Sequence, residues 1–388
     1  MADLRGLVRR VDAATPPGRD RAVDALRAFA IGGVVLGHWL VTALVADGGA
    51  LHGDSPLRHL PELAPVSWLF QTLAVFFLVG GYVAARSRAA YCGGHLTWLR
   101  ARFARLFRPV AAVLVLWAVV SAAASAMGTG TGTVRTLLGP ALSPLWFLLV
   151  FAALTAATPL VARLHPLWSL AVVLHVDLFR FGFGGPAWLG WVNVAAGWLA
   201  PYCLGTAWAR REPGTGVRWA LLLGGAAATA ALVAWAGYPA SMVGVPGAPV
   251  SNLNPPTLAA VTFGLAQCGA ALLLLGPLRR VLTRPAAWAA VALLNLCAMT
   301  VFLWHQTALM AVTATGLSFG RLPGLHTVPD GGEWVLARIA WLPVFTLVLL
   351  VCRVAFHPYE PGRPKRATRV VRAHGPDRDV AAEVHASV

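Results

Sequence analysis

Long apolar blocks separated by short polar loops occupy the chain from about residue 25 to residue 356. Their approximate bounds are 25–46, 66–85, 107–127, 144–163, 166–181, 188–209, 217–237, 257–277, 286–314 and 334–356. Most approach the roughly 20 residues that span the hydrocarbon of a bilayer. Few carry the polar face that a helix of a soluble domain presents to water. The pattern predicts an all-α, polytopic integral membrane protein with about ten transmembrane helices. The fifth block is the weakest, being short and containing His175 and Asp177. Residues 1–20 are polar and Arg-rich, with Pro16, Pro17 and Gly18, and are expected to form a disordered cytoplasmic arm. Residues 21–356 form the membrane domain, and residues 357–388, with Pro358, Pro361 and Pro364, are expected to be a disordered cytoplasmic tail. The first block is long, contains His38 and is followed by no A-x-A site, so it does not read as a cleaved signal peptide.

Composition supports this reading. Of 388 residues, 58% are hydrophobic and 12% charged, about half the charged share of a soluble domain. The formal net charge of +16 is nearly all arginine. Its distribution excludes the reflex assignment to nucleic acid, because the arginines lie in patches between apolar blocks. Arg5, Arg9, Arg10, Arg19 and Arg21 precede the first block, and Arg86, Arg88, Arg100, Arg102 and Arg105 follow the second. Arg163, Arg210, Arg211, Arg279, Arg280 and Arg284 continue the alternation, and Arg363, Lys365, Arg366 and Arg369 end it. The alternate loops hold mainly Arg58, Arg135, Arg180 and Arg321. This is the positive-inside pattern, and it predicts that both termini are cytoplasmic. It also favours a crossing by the fifth block, since otherwise every later loop would change sides. The five cysteines form no metal or CxxC spacing, so neither a metal nor a disulfide framework is expected.

The chemistry-bearing residues begin in the first block, RAVDALRAFAIGGVVLGHWL. Arg27 and His38 are separated by about three helical turns, which puts them on one face roughly 16 Å apart. Asp24 shares that face and can pair with Arg27 at i,i+3. Arg27 is expected at the cytoplasmic boundary and His38 near mid-membrane, where ionisable side chains usually face a cavity or the bundle interior. The bland alternatives are a topology anchor for Arg27 and an interhelical hydrogen bond for His38. His305 and Gln306 form a second polar pair in the ninth block.

At these residues the chain resembles the acyltransferase 3 family of bacterial membrane O-acyltransferases. Asp24, Leu26-Arg27-Ala28 and Gly37-His38 match its first-helix motif. FFLVGGYVAARS (76–87), RARFARLFRP (100–109), SPLWFLLVF (143–151) and VFLWHQTAL (301–309) resemble later family segments in the expected order. One departure is Gly80-Gly81-Tyr82, where the family usually reads Ser-Gly-Phe, so no catalytic role is assigned there. The resemblance implies transfer of an acyl group, often acetyl, from acyl-CoA to a hydroxyl of a glycan, sugar lipid or small molecule. Arg27, Arg102, Arg105 and Arg108 would then hold the polyanionic acyl-CoA, a co-substrate rather than a resident cofactor. His38 would act as base or acyl relay, with Asp24 orienting Arg27. His305, Gln306, Trp146 and Asn254 would contact the acceptor. For Trp146, membership of the interfacial aromatic belt is the competing reading. The remaining partners expected are membrane lipids, at the plasma membrane. A transporter or flippase for a lipid-linked sugar or metabolite is the alternative from another class, and a non-catalytic scaffold is a third.

Overall fold

In the computed structural model, which describes residues 2–356, the chain is a helical bundle. The tail expected at 357–388 lies outside the described residues. The main helices are α1 (Ala2–Ala13), α2 (Arg21–Val41), α3 (Leu73–Ala89), α4 (His95–Ala126), α5 (Thr131–Leu142) and α6 (Pro144–Ala156). They continue as α7 (Pro166–Asp177), α8 (Val192–Arg210), α9 (Thr215–Trp235), α10 (Leu258–Val281), α11 (Pro285–Gly316) and α12 (Gly332–Phe356). Among the described residues, seven helical stretches are long and apolar enough to cross a membrane.

The seven differ from the ten expected blocks for local reasons. The fifth block yields only the 12 residues of α7 before a π-type turn at Leu178–Gly182. At about 1.5 Å per residue, such a helix covers little more than half of a bilayer's hydrocarbon. The second block gives 17 residues, because Gln71 and Thr72 delay the start of α3. The sixth gives α8, which buries Asn193, Tyr202, Cys203 and Thr206 among its neighbours. The fourth block merges with the preceding loop into one span, Thr131–Ala156, broken at Ser143.

One further expectation is corrected. The N-terminal arm is not disordered over its length, since residues Ala2–Ala13 form α1. Leu7, Val8 and Val11 recur at helical spacing on its half-buried side, while Arg5 and Arg9 stay exposed. Trp288 of α11 anchors the arm by donating from Nε1 to Thr15 Oγ1 at 2.6 Å. The all-α bundle also carries one short hairpin. The first block ends its helix at Val41, and Ala43–Asp47 (β1) pairs antiparallel with Ala50–Asp54 (β2). Asp47 faces Ala50 across Gly48 and Gly49, whose φ values of 54° and 78° form the two-residue turn that favours glycine.

The centre of the bundle is the α3–α8 pair. A Cβ on Gly81 would collide with the Tyr202 carbonyl, and one on Gly205 with the Leu78 carbonyl. The two glycines let the backbones approach, as small residues do between membrane helices. Beside them Phe77 stacks on Trp198 with centroids 5.0 Å apart. Helix α2 lies against α3, α10, α11 and α12. Thr72, preceding α3, donates to the Ala30 carbonyl of α2 at 2.7 Å.

Gly205→Val should destabilise the protein by about 1–3 kcal/mol through overpacking. Thermal unfolding in detergent checks this, and a melting temperature equal to that of the parent contradicts the packing described.

Candidate active site

One face of α2 runs along two cavities. Near the N-terminal half, Arg27 and Ile31 line a cavity of about 560 Å³. Near the C-terminal end, Val34, His38 and Val41 line a second cavity of about 300 Å³. The spacing 27, 31, 34, 38, 41 is the i, i+3, i+4 recurrence of one helix face. The shared face of Arg27 and His38 therefore has a physical counterpart. Helix α2 stops earlier than its apolar block, so His38 stands in its last turn.

The first cavity is basic. Arg27, Arg102 and Arg105 line it together with Ser87 and Asn295, and no carboxylate lines it. Arg102 lies over the Trp98 ring at 5.1 Å, and Arg105 donates to the Ala101 carbonyl at 3.1 Å. Arg108, expected with them, is exposed and does not line the cavity. Six residues, about 1.7 turns, separate it from Arg102 and turn it to a different side of the helix. Gly80 contributes to the wall, and a Cβ there would strike the Phe151 ring. That contact accounts for glycine where the resembled motif carries serine.

Arg27 is held by more than the expected carboxylate. Its Nε donates to Asn295 Oδ1 at 2.5 Å, and Asn295 Nδ2 donates to the Asp24 carbonyl at 2.8 Å. The Arg27–Asp24 ion pair is longer, at 3.5 Å. Asp24 instead meets Arg19 through two hydrogen bonds of 2.6 and 3.0 Å. That hydrogen bond, more than the pair's charge, raises the Arg19 guanidinium above its ordinary pKa. Sequence reading missed both Arg19 and Asn295; the signal for Asn295 was an amide inside an apolar block.

His38 and Gln306 line the second cavity, and His305 packs against His38 without lining it. Gln306 Nε2 lies 2.8 Å from His38 Nδ1, and the rings of His38 and His305 are 5.2 Å apart. His305 is fully buried, and its Nδ1 is 2.7 Å from the Phe302 carbonyl. A carbonyl only accepts, so Nδ1 carries the proton and Nε2 presents a lone pair. That Nε2 and Gln306 Oε1 are buried without a hydrogen-bond partner. Unspent polar atoms of this kind cost stability and call for an explanation. Phe302 links the first cavity to this cluster: it lines that cavity, while its carbonyl orients His305.

Trp146 and Asn254 do not join this cluster. Trp146 is partly exposed and sits edge-on to Phe147 at 6.2 Å. Asn254 is exposed in a loop, where its neighbour Leu253 lines the cavity instead. Asn252 is buried as a loop brace, donating to the Pro239 and Ser241 carbonyls at 2.6 and 3.0 Å. Among the described residues, no group of three or more His, Cys, Asp or Glu side chains converges as a metal site would.

Arg338 was also missed, although a buried arginine in an apolar block is itself a signal. It is 1% exposed. Its Nε donates to the Trp39 carbonyl at 2.6 Å and its Nη1 to the Gly324 carbonyl at 2.9 Å, while Nη2 meets the Thr42 carbonyl. The guanidinium thereby ties down the C-terminal end of α2, where carbonyls lack helical partners and a cation complements the dipole. Trp39 Nε1 in turn donates to the His305 carbonyl at 2.9 Å. Arg338→Ala should cost about 2–4 kcal/mol, since several charge-assisted hydrogen bonds are lost together. Arg338→Lys should recover only part, having no planar fork. Detergent unfolding of both variants checks this; an unshifted Arg338→Ala melt contradicts it.

Comparison with known proteins adds a family but no close relative. No curated protein and no solved structure matches the chain. The family described as an acyltransferase domain, acyltransferase 3, matches residues 20–357, nearly the whole length. That range includes both cavities and every residue of the His38 cluster. With its apolar helices, the chain belongs to the acyltransferase 3 family and is an acyltransferase of the membrane type.

Proposed function

We propose that the protein moves an acyl group, with acetyl the first choice, from acyl-CoA to a hydroxyl, using His38 as the group that handles the proton or the acyl chain. The observation that carries this reading is the single face of α2, with Arg27 on a basic cavity and His38 on a separate, mainly apolar one. Acyl-CoA is polyanionic, and guanidinium groups bind phosphate through charge-assisted, often bidentate hydrogen bonds. Arg27, Arg102 and Arg105 supply such groups around one volume. The thioester would extend from there along α2 past Ile31 and Phe302 toward His38.

At His38 the overall change breaks the thioester C–S bond and forms an ester C–O bond. The acceptor's hydroxyl proton finishes on the CoA sulfur. A neutral imidazole can take that proton and return it to the departing thiolate. For His38 Nε2 to serve as base, its Nδ1 must hold the ring proton. Gln306 favours that tautomer when it turns its amide oxygen to Nδ1, and it favours the opposite one when it offers its NH2. Covalent acyl transfer to the imidazole, followed by alcoholysis, uses the same atoms.

In the proposed topology the chain crosses the plasma membrane about ten times with both termini cytoplasmic, as the alternation of arginine-rich loops requires. The basic cavity then opens toward cytoplasmic acyl-CoA. A transporter or flippase gains no specific support from these features, because transport consumes no thioester and needs no basic pocket coupled to a histidine.

His38→Ala should lower acceptor-dependent CoA release by at least about 100-fold, the lower bound for losing a general base. Membranes or purified protein supplied with labelled acetyl-CoA and a panel of alcohols provide the assay; full activity in the variant excludes the role. Arg102→Ala should raise the KM for acyl-CoA about tenfold or more with a smaller change in kcat, as loss of a charged phosphate contact does. Steady-state kinetics at varied donor concentration distinguish this from a general loss of activity.

A further inference from the structure

The second cavity bears on what kind of molecule carries the acceptor hydroxyl, an inference that rests on the acyltransferase reading above. Its wall is mostly apolar, with Val34, Val41, Leu44, Leu73, Val243 and Leu253 contributing the larger aliphatic surfaces. Besides His38 and Gln306, six polar side chains also reach it: Thr42, and five that are engaged locally. Ser67 donates to the Ala64 carbonyl at 2.6 Å, and Ser143 donates to the Pro140 carbonyl at 2.8 Å. Ser55 accepts the Leu57 N–H at 3.3 Å, and Gln71 Oε1 accepts the Leu73 N–H at 3.1 Å. Asp54 accepts from the Ser55 N–H and pairs with the His59 ring, both at 2.8 Å. These residues start helices and close turns; their polarity belongs to the scaffold.

Among the lining residues, one buried polar atom is left without a partner. Gln306 Oε1 is buried without a partner beside His38, whose ring lines the same wall. No arginine or lysine lines this cavity, and Phe70 is its one ring besides His38. A polyhydroxylated sugar placed here would exchange water for aliphatic wall at most of its hydroxyls, which is unfavourable. A compact apolar body bearing one hydroxyl would bury its surface favourably and bring that hydroxyl to His38 and Gln306.

We propose that the acceptor presents its hydroxyl on a compact, predominantly apolar body, recognised by shape in the His38 cavity, and that polyhydroxylated sugars are poor acceptors there. Selection then arises from the aliphatic wall, while His38 and Gln306 engage the reacting hydroxyl alone. β2 closes one side of the cavity through Gly53, where an added Cβ would meet nothing within 4 Å. A large side chain at that position would therefore enter space that the acceptor needs.

The test uses the full chain in nanodiscs with labelled acetyl-CoA and two soluble probes of similar size, cyclohexylmethanol and methyl glucoside. Cyclohexylmethanol is expected to give saturable acyl transfer with kcat/KM at least tenfold above methyl glucoside. Gly53→Phe is expected to reduce that transfer at least tenfold, with a CoA-induced rise in melting temperature showing that the variant is folded. Methyl glucoside serving equally well or better would overturn the inference and leave the acyltransferase reading intact. Undiminished transfer by folded Gly53→Phe would overturn the placement of the acceptor in this cavity. Consumption of thioester with neither probe would overturn the acyltransferase reading and this inference with it.

Discussion

The C-terminal end of α2 has to be fixed where little water is available to satisfy its carbonyls, and Arg338 fixes it. A guanidinium with rigidly forked donors reaches the carbonyls of Trp39, Thr42 and Gly324 at once. His38 lies within one turn of that clamp. Trp39 then extends the same support to His305 through the hydrogen bond from its indole to the His305 carbonyl. The two histidines, on helices far apart in sequence, are held with their rings 5.2 Å apart and tilted, with support from a residue on a third helix. Loss of this support would alter the geometry around His38 without touching a reacting atom.

At the other end of the same helix the problem is similar, with a different solution. Asp24, Arg19, Arg27 and Asn295 form a connected set in which Asn295 bridges the side chain of Arg27 and the backbone of Asp24. Arg27 is thereby directed into the first cavity rather than left to range over the surface. The two ends of α2 are thus polar sites on one rigid rod, and Phe76 and Phe302, with centroids 6.4 Å apart, line the first cavity. Rigid placement of distant groups on one element is how a protein keeps two binding volumes in register.

Much of this was legible in the sequence because it depends on short-range periodicity. The common face of Arg27 and His38 follows from an eleven-residue spacing, and the apolar blocks locate most helices. The positions that escaped depend on contacts between remote segments. Nothing near Asn295 announces that it meets Arg27, and nothing near Gln306 announces His38. Arg338 was hidden by the hydropathy of its own block, which averages one charge into an apolar stretch. The end of α2 was misplaced because Thr42–Val45 is as apolar as the helix before it; the informative signal was the Asp47-Gly48-Gly49 turn, which closes a hairpin. Trp146 was grouped with the site by its motif and Asn254 by its loop, and both lie outside the His38 cluster.

The central claim is a division of labour along α2, with the donor held at the Arg27 end and chemistry performed at the His38 end. Equilibrium binding of CoA to the purified parent, Arg27→Gln and His38→Ala tests it most directly, because binding does not require turnover. The account predicts parent-like affinity for His38→Ala and at least tenfold weaker binding for Arg27→Gln, equivalent to about 1.4 kcal/mol or more. Parent-like affinity in Arg27→Gln, or an equal loss in both variants, would contradict it.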